Sequence, residues 1–517
     1  MLKNTSGNPW KILLLSGFQA NHSMSKEQFS NRWGIVLAAL GMAIGAGNLW
    51  RFPRLAGQYG GSFILLWILF LFIWSIPLLL SEFAIGKKYK KGVIGSFGLF
   101  AGKRYTWMGF FITVCTLGIA FYYSVVTAWA FRYFSFSVSY LFKDVTLAET
   151  LSSNPEYLNQ FWTGISNGDW VTVAIYIAVV LISAVILVKG VKNGLEKANK
   201  LLIPSLFVLL VIIAIVALNM EGGIRGLEYM FAINWSHFGN ATIWIEALSQ
   251  SAWSTGAGWG LMMTLSAFSR DNEDVTLNTF IGAFGNNTAS LLAGMAILPA
   301  VFALSATDAD AITFLQSGNQ ALTFTIIPML FANVPGGAVL SVVFFLALTL
   351  AAFSSLLPMV ELFLQNVSDL NVSKRLAWTI VIVGFVVVGF PSAWSLDFFS
   401  NQDWVWGVGL IVTGLFILIG VAMNNPGGFK ESTIDVGSDM IFPTSIFKVA
   451  VFGNILIALF LIYWWLSQDY SAQWFDENGN WDLWGVYSNA STTTQWAVVM
   501  AVGLVLNGFL YKKFVKT

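Results

Sequence analysis

Gly41, Gly45 and Gly47, followed by Asn48 and Arg51, sit inside the first long apolar segment, where an uninterrupted membrane helix would carry neither an amide nor a guanidinium. Glycine weakens a helix, so a break is expected over Gly45 to Gly47. A break at mid-depth frees carbonyls and N–H groups that hydrocarbon cannot satisfy, and it persists only where protein or a bound ligand supplies partners. The segment therefore reads as a site. The other reading is that Gly41 and Gly45 form a small-residue face for close helix packing. A second interruption decides between them: Trp253, Ser254, Gly256, Gly258, Trp259 and Gly260 break another apolar segment in the same manner. Each interruption opens a block of about five spans, as inverted repeats around a midplane site do.

Positioning two broken segments takes a polytopic membrane protein, and the composition agrees. The 517 residues are 56% hydrophobic and 10% charged, with a formal net charge of +1. That is not an ordinary soluble domain, and no basic face of useful size remains for nucleic acid. Cys115 is the only cysteine, and His22 and His237 are the only histidines. With no nucleophile–base pair, metal-ligand set or phosphate loop, an enzyme is the least favoured class.

A bilayer core of about 30 Å needs about 20 apolar residues per helix, and about twelve segments qualify. They are 33–54, 61–86, 106–138, 171–189, 201–219, 242–268, 276–304, 338–369, 375–395, 403–424, 444–467 and 495–513. The expected architecture is all-α: a cytoplasmic arm over 1–31, a first repeat over 32–219, a second over 242–424, and two further helices with a short tail over 444–517. In the arm, Ile12 to Leu15 is too short to span, no cleavage site follows it, and Met24 is an alternative start. The loop 87–104 carries Lys87, Lys88, Lys90, Lys91, Lys103 and Arg104 with no acid, whereas 136–172 sets Lys143 against Asp144, Glu149, Glu156 and Asp169. The positive-inside rule makes the first cytoplasmic and the second external, and Lys374, Arg375, Lys512, Lys513 and Lys516 agree, so both termini are expected inside a plasma (inner) membrane. Residues 305–335 are expected as an external helical loop covering the site, and 466–494 as a second external loop whose tryptophans are interfacial anchors.

Further motifs follow in order: the run from Gly47 to Pro53, Tyr59 to Phe63, Pro77 with Glu82, Tyr122 and Tyr123 before Trp129, Asn193 to Glu196, Gln250, Asn286, Ala351 with Ser354 and Ser355, and Asp403 to Gly407. Over roughly residues 26–465 the chain resembles the neurotransmitter:sodium symporter family. The resemblance implies the leucine-transporter fold, five spans plus five inverted with the first and sixth broken, and uptake driven by sodium. Broken spans supply main-chain carbonyls to a cation without burying a charge.

By resemblance, a first sodium site would use the Ala43 carbonyl, Asn48, Ser254 and Asn286. A second would use the Gly41 and Ile44 carbonyls with Ala351, Ser354 and Ser355. Positions 351, 354 and 355 do share one helix face, although paired serines also serve interhelical hydrogen bonding. Two sodium ions beside a zwitterion leave positive charge in a low-dielectric site, so chloride is expected as a co-ion. Chloride-independent members carry a glutamate four residues after the sodium-binding asparagine, where this chain has Ser290. Ser290 and Asn286, with Gln250 and Ser254 opposite, could converge on the anion, and Trp67 stands where the family has a tyrosine.

The substrate is expected to be a small to medium neutral amino acid. Monoamine carriers place an aspartate where this chain has Gly45, so the substrate should bring its own carboxylate to the Ala46 and Gly47 N–H groups and Tyr123. Its amino group would meet carbonyls of Ala43, Trp253, Ser254 and Gly256, and its side chain a pocket of Ile119, Trp253, Trp259, Ser355 and Met359. The two indoles also suit a betaine-like zwitterion through cation–π attraction, or only fill volume. An external gate is expected as a direct or water-bridged pair between Arg51 and Asp403, and an internal one between Lys26 or Arg32 and Asp369, with Phe29 replacing a family tryptophan. Glu82 should accept hydrogen bonds from the broken segments, while Glu246 and Glu361 are open to proton handling. A substrate-gated channel or sensor on the same fold is the competing class, separated by measuring flux. The sequence leaves the substrate's identity and the stoichiometry open and is compatible with a homodimer.

Overall fold

A computed structural model describes residues 27–467 and 474–516. The described chain is helical, apart from an isolated antiparallel bridge between Phe475 and Trp481. Lys26 lies outside the described residues.

The first span is two helices, α1 (Arg32–Ala43) and α2 (Ala46–Tyr59), bent by 52°. Asn31 opens α1 by accepting from the Gly34 N–H, a polar cap where the chain turns apolar. The helix stops because Ile44 (φ −86°, ψ 95°) and Gly45 (φ −120°, ψ −171°) are extended. It restarts at once because the Asn48 side chain accepts from the Gly45 N–H at 3.0 Å, which satisfies a donor at a helix N-terminus. That cap places the break at Ile44 and Gly45, one residue earlier than expected.

Next come α3 (Gly61–Tyr89), α4 (Val93–Ala101), α5 (Lys103–Tyr140), α6 (Trp170–Leu187) and α7 (Val191–Asn219). The sixth span is again two pieces, α8 (Ala241–Thr255) and α9 (Leu261–Ser266). Between them Gly256, Gly258 and Gly260 have φ of 71°, 91° and 75°, a left-handed backbone that glycine adopts without steric cost. The chain continues through α10 (Val275–Leu304), α11 (Asp308–Gln316), α12 (Gly337–Ser368), α13 (Lys374–Trp394), α14 (Leu396–Met423), α15 (Thr444–Ser467) and α16 (Asn489–Val515).

Among the described residues, 10 helices are long and apolar enough to cross a membrane, or 11 with the bent pair. The remaining expected span is α8 with α9, whose pieces of 15 and 6 residues are each too short alone. At the centre α5 lies along α12, while α7, α10 and α12 pack around α1. The buried Glu82 carboxylate on α3 accepts from the Gly258 N–H at 2.6 Å, which ties the second break to the scaffold as expected. The 305–335 loop is helical and lies over α2: Leu315 packs so closely on Gly57 that a Cβ there would sit 2.6 Å away, and Arg54 donates to Asn319 at 2.7 Å.

Candidate substrate and ion site

The end of α1 leaves carbonyls without helical donors, and α12 meets them with two hydroxyls. Ser354 donates to the Ile44 carbonyl at 3.0 Å and to the Ala351 carbonyl at 2.8 Å. Ser355 donates to the carbonyls of Gly41 and Met42, each at 3.1 Å. Gly41, Ile44, Ala351, Ser354 and Ser355 are thus in one cluster.

On the other side of the break stands another cluster. One amide atom of Asn286 lies 3.1 Å from the Ala43 carbonyl, 3.0 Å from the Ser254 carbonyl and 2.8 Å from the Asn48 amide nitrogen. With oxygen there it accepts from Asn48 but faces two carbonyl oxygens; reversed, its nitrogen would donate to both carbonyls. Asn48 also donates to Ser290 at 2.8 Å. One turn before Ser254 on α8, Gln250 is buried with neither amide atom partnered among the described residues, and the buried Trp67 indole N–H on α3 likewise lacks an acceptor there.

Between the two clusters is a cleft of about 280 Å³, lined by residues of both breaks together with Tyr123, Ser355 and Met359. Tyr123 accepts from the Ala46 N–H at 2.9 Å. Gly45 leaves no room for a side chain: a Cβ would lie 2.6 Å from the Tyr123 hydroxyl and 2.7 Å from that of Ser355. Trp253 and Trp259 meet edge to face, with centroids 5.4 Å apart and planes at 78°, so they do not present two parallel faces to a cation. Ile119 is buried but does not line the cleft, whereas Met42 and Leu261 do. These two were missed because each belongs to an irregular end whose direction follows from the break geometry.

The gates differ from expectation. No direct Arg51–Asp403 pair forms; Arg51 binds Glu246 at 3.0 Å and Ser249 at 3.0 Å, and Arg54 approaches the same carboxylate at 3.7 Å. Glu246 wins because α8 brings it beside α2, while Asp403 faces Tyr122 and feels Arg51 only at longer range. A signal existed: 246, 250 and 253 recur at helical spacing on the site-facing side of α8. Arg32 does not face Asp369 either. It pairs with Asp274 at 3.1 Å and Asp439 at 3.8 Å, because the start of α1 packs against the start of α10. Asp369 instead accepts from the Gly92 N–H at 2.8 Å, and burial pushes its carboxyl up to about 7 against the opposing pull of that N–H and of Lys91.

Comparison with known proteins places this geometry. The chain matches the profile of the Sodium:neurotransmitter symporter family over residues 26–148 and 144–476. It is 31% identical over 378 residues to an uncharacterized sodium-dependent transporter of Methanocaldococcus jannaschii, covering 71% of this chain and 74% of that one. It is 28% identical over 387 residues to the uncharacterized sodium-dependent transporter YhdH of Bacillus subtilis, covering 72% and 80%. Its fold superposes on the crystal structure of MhsT in complex with L-phenylalanine with a TM-score of 0.74 and 25% identity, over 85% of this chain and 99% of that one. Two broken spans, paired oxygen clusters and these matches together make the chain a multi-pass, sodium-dependent transporter belonging to the sodium:neurotransmitter symporter family.

Proposed function

We propose that this protein takes up a small to medium neutral amino acid by alternating access, driven by two sodium ions and requiring chloride. The observation that carries this reading is the meeting of two oxygen clusters at the α1–α2 break, one on each side of a cleft of about 280 Å³.

The substrate carboxylate meets the Ala46 and Gly47 N–H groups at the start of α2, where the half-helix carries its positive dipole end. Tyr123 already takes the Ala46 N–H and keeps its own hydroxyl proton to donate. The amino group meets the carbonyls of Ala43, Trp253, Ser254 and Gly256, and Trp253, Trp259 and Met359 bound the side chain. The first sodium takes the Ala43 carbonyl, Asn48, Ser254 and Asn286, whose amide lies 3.1 Å from the Ala43 carbonyl. The second takes the cluster around Ser354 and Ser355. Chloride is held by Ser290, Gln250 and Trp67; among the described residues the Gln250 amide and the Trp67 indole N–H are buried without partners, which costs free energy until something answers them.

The sodium ions and the substrate enter from outside; the outer path closes as Arg51 and Arg54 bind Glu246, with Asp403 joined to Arg51 through water. The chain lies in the plasma membrane with both termini inside. Equilibrium binding of labelled alanine, leucine, proline and glycine betaine to the purified protein tests the substrate class. Sodium-dependent binding of a neutral amino acid supports it, and binding by a carboxylate-free amine in preference to all of them overturns it.

A further inference from the structure

Past the second sodium cluster, around Ser354 and Ser355, toward the C-terminal end of α12, the structure gathers polar groups that lack partners among the described residues. Glu361 is 3% exposed and makes no hydrogen bond or ion pair among the described residues; Glu27 and Lys374 are the charges within its reach. It follows Ser354 by seven residues of α12, which puts it about 10 Å along the axis and within about 20° of the same face. Pro358 lies between them inside the helix. Having no N–H, it leaves the Ser354 carbonyl without its helical donor, and helix carbonyls point toward the C-terminus, the end where Glu361 lies.

Across from this face, Asn199 on α7 is fully buried with both amide atoms unpartnered among the described residues. It abuts the cluster directly, since a Cβ on Gly41 would stand 2.6 Å from its amide oxygen. The neighbouring carboxylates are different. Glu196 accepts from the Ser30 N–H at 2.8 Å and pairs with Lys200 at 2.6 Å, and Glu27 accepts from the Val191 N–H at 2.8 Å. Of these three, Glu361 alone has no donor.

A buried carboxylate without a hydrogen-bond donor is costly, and an ionisable side chain within a membrane helix marks a functional site. An amide oxygen, a freed carbonyl and a carboxylate are all ligands for a hard cation. We propose that Asn199, the Ser354 carbonyl and Glu361 form an inward staging site that receives the sodium ion leaving the second cluster for the cytoplasm, which rests on the sodium coupling proposed above. Sodium on the inside enters by the same stage and inhibits uptake through it.

The test is uptake into proteoliposomes preloaded with graded internal sodium, at fixed external sodium and substrate. E361Q should raise the internal sodium needed for half-inhibition about tenfold, equivalent to about 1.4 kcal/mol of cation binding, while external sodium affinity moves less than about twofold. P358A, which returns an N–H to the Ser354 carbonyl, should shift it the same way, and E361D should stay near wild type. Unchanged inhibition in both E361Q and P358A overturns the staging site and leaves sodium coupling standing. Sodium-independent uptake by the wild type overturns the coupling itself. If E361Q fails to fold, P358A decides alone.

Discussion

The Asn48 side chain donates to the Ser290 hydroxyl at 2.8 Å, so the Asn48–Asn286 cluster and the residue proposed to hold chloride are hydrogen-bonded to each other. Replacing external chloride with gluconate should lower uptake by about tenfold or more, a loss of about 1.4 kcal/mol of co-ion binding. S290E should restore uptake in gluconate. Equal uptake of the wild type in both salts would rule out the anion site.

Gly45 is the tightest point of the cleft, with two hydroxyls under 3 Å from any added Cβ. G45A should therefore weaken substrate binding by about a hundredfold, roughly 2.7 kcal/mol, while the purified variant keeps its helical circular dichroism. G45D should not create an amine carrier, because the carboxylate would have to displace Tyr123 and Ser355. Competition binding with an amine reads this directly, and amine displacement of substrate in G45D would refute it.

The outer pair predicts a division between two carboxylates. Glu246 is shared by Arg51 and Arg54 at 3.0 and 3.7 Å, and removing one member of such a partly buried set leaves the others uncompensated. E246Q should cut uptake by about tenfold or more with equilibrium sodium binding retained, and D403N should cut it less. The reverse order would restore Arg51–Asp403 as the principal gate.

Asp369, which caps α12 one residue past its end at Ser368, gives a pH dependence. Its carboxyl rises from 3.8 to about 7, burial being the leading cause. The folded state therefore holds a proton that the unfolded state has released, and stability falls as pH climbs from about 4 through about 7. Wild type should lose about 1.4 kcal/mol of stability, or about a degree of melting temperature, between pH 6 and 8 from this group. D369N, which keeps an oxygen for the Gly92 N–H and carries no charge, should lose less; equal losses would contradict the assignment.

What could be read before the fold was known was local. The glycine triplets at 41–47 and 256–260 announce breaks because left-handed or extended backbone is recorded in residue type, and positions 351, 354 and 355 announce a shared face because helix spacing is fixed. Asn286 and Gln250 entered through ordered motifs. The gates were not legible in the same way. Which carboxylate meets Arg51 depends on whether α8 or α14 comes nearer α2, and the preference for Glu246 is a tertiary fact. Arg32 likewise found Asp274 because α1 and α10 start side by side. Ile119 fell off the pocket because the Met42 and Leu261 ends turn inward instead.

Coupling is the central claim, and one measurement addresses it most directly. Purified protein in liposomes, given an inward sodium gradient and an inside-negative potassium-diffusion potential, is followed for accumulation of a labelled neutral amino acid. Each net charge carried inward adds about 2.3 kcal/mol per 100 mV. Accumulation above the external concentration should appear only with external sodium, grow with the potential and vanish when Ser354 and Ser355 are both replaced by alanine. Equilibration without accumulation, or accumulation indifferent to sodium, would contradict coupling through the two oxygen clusters.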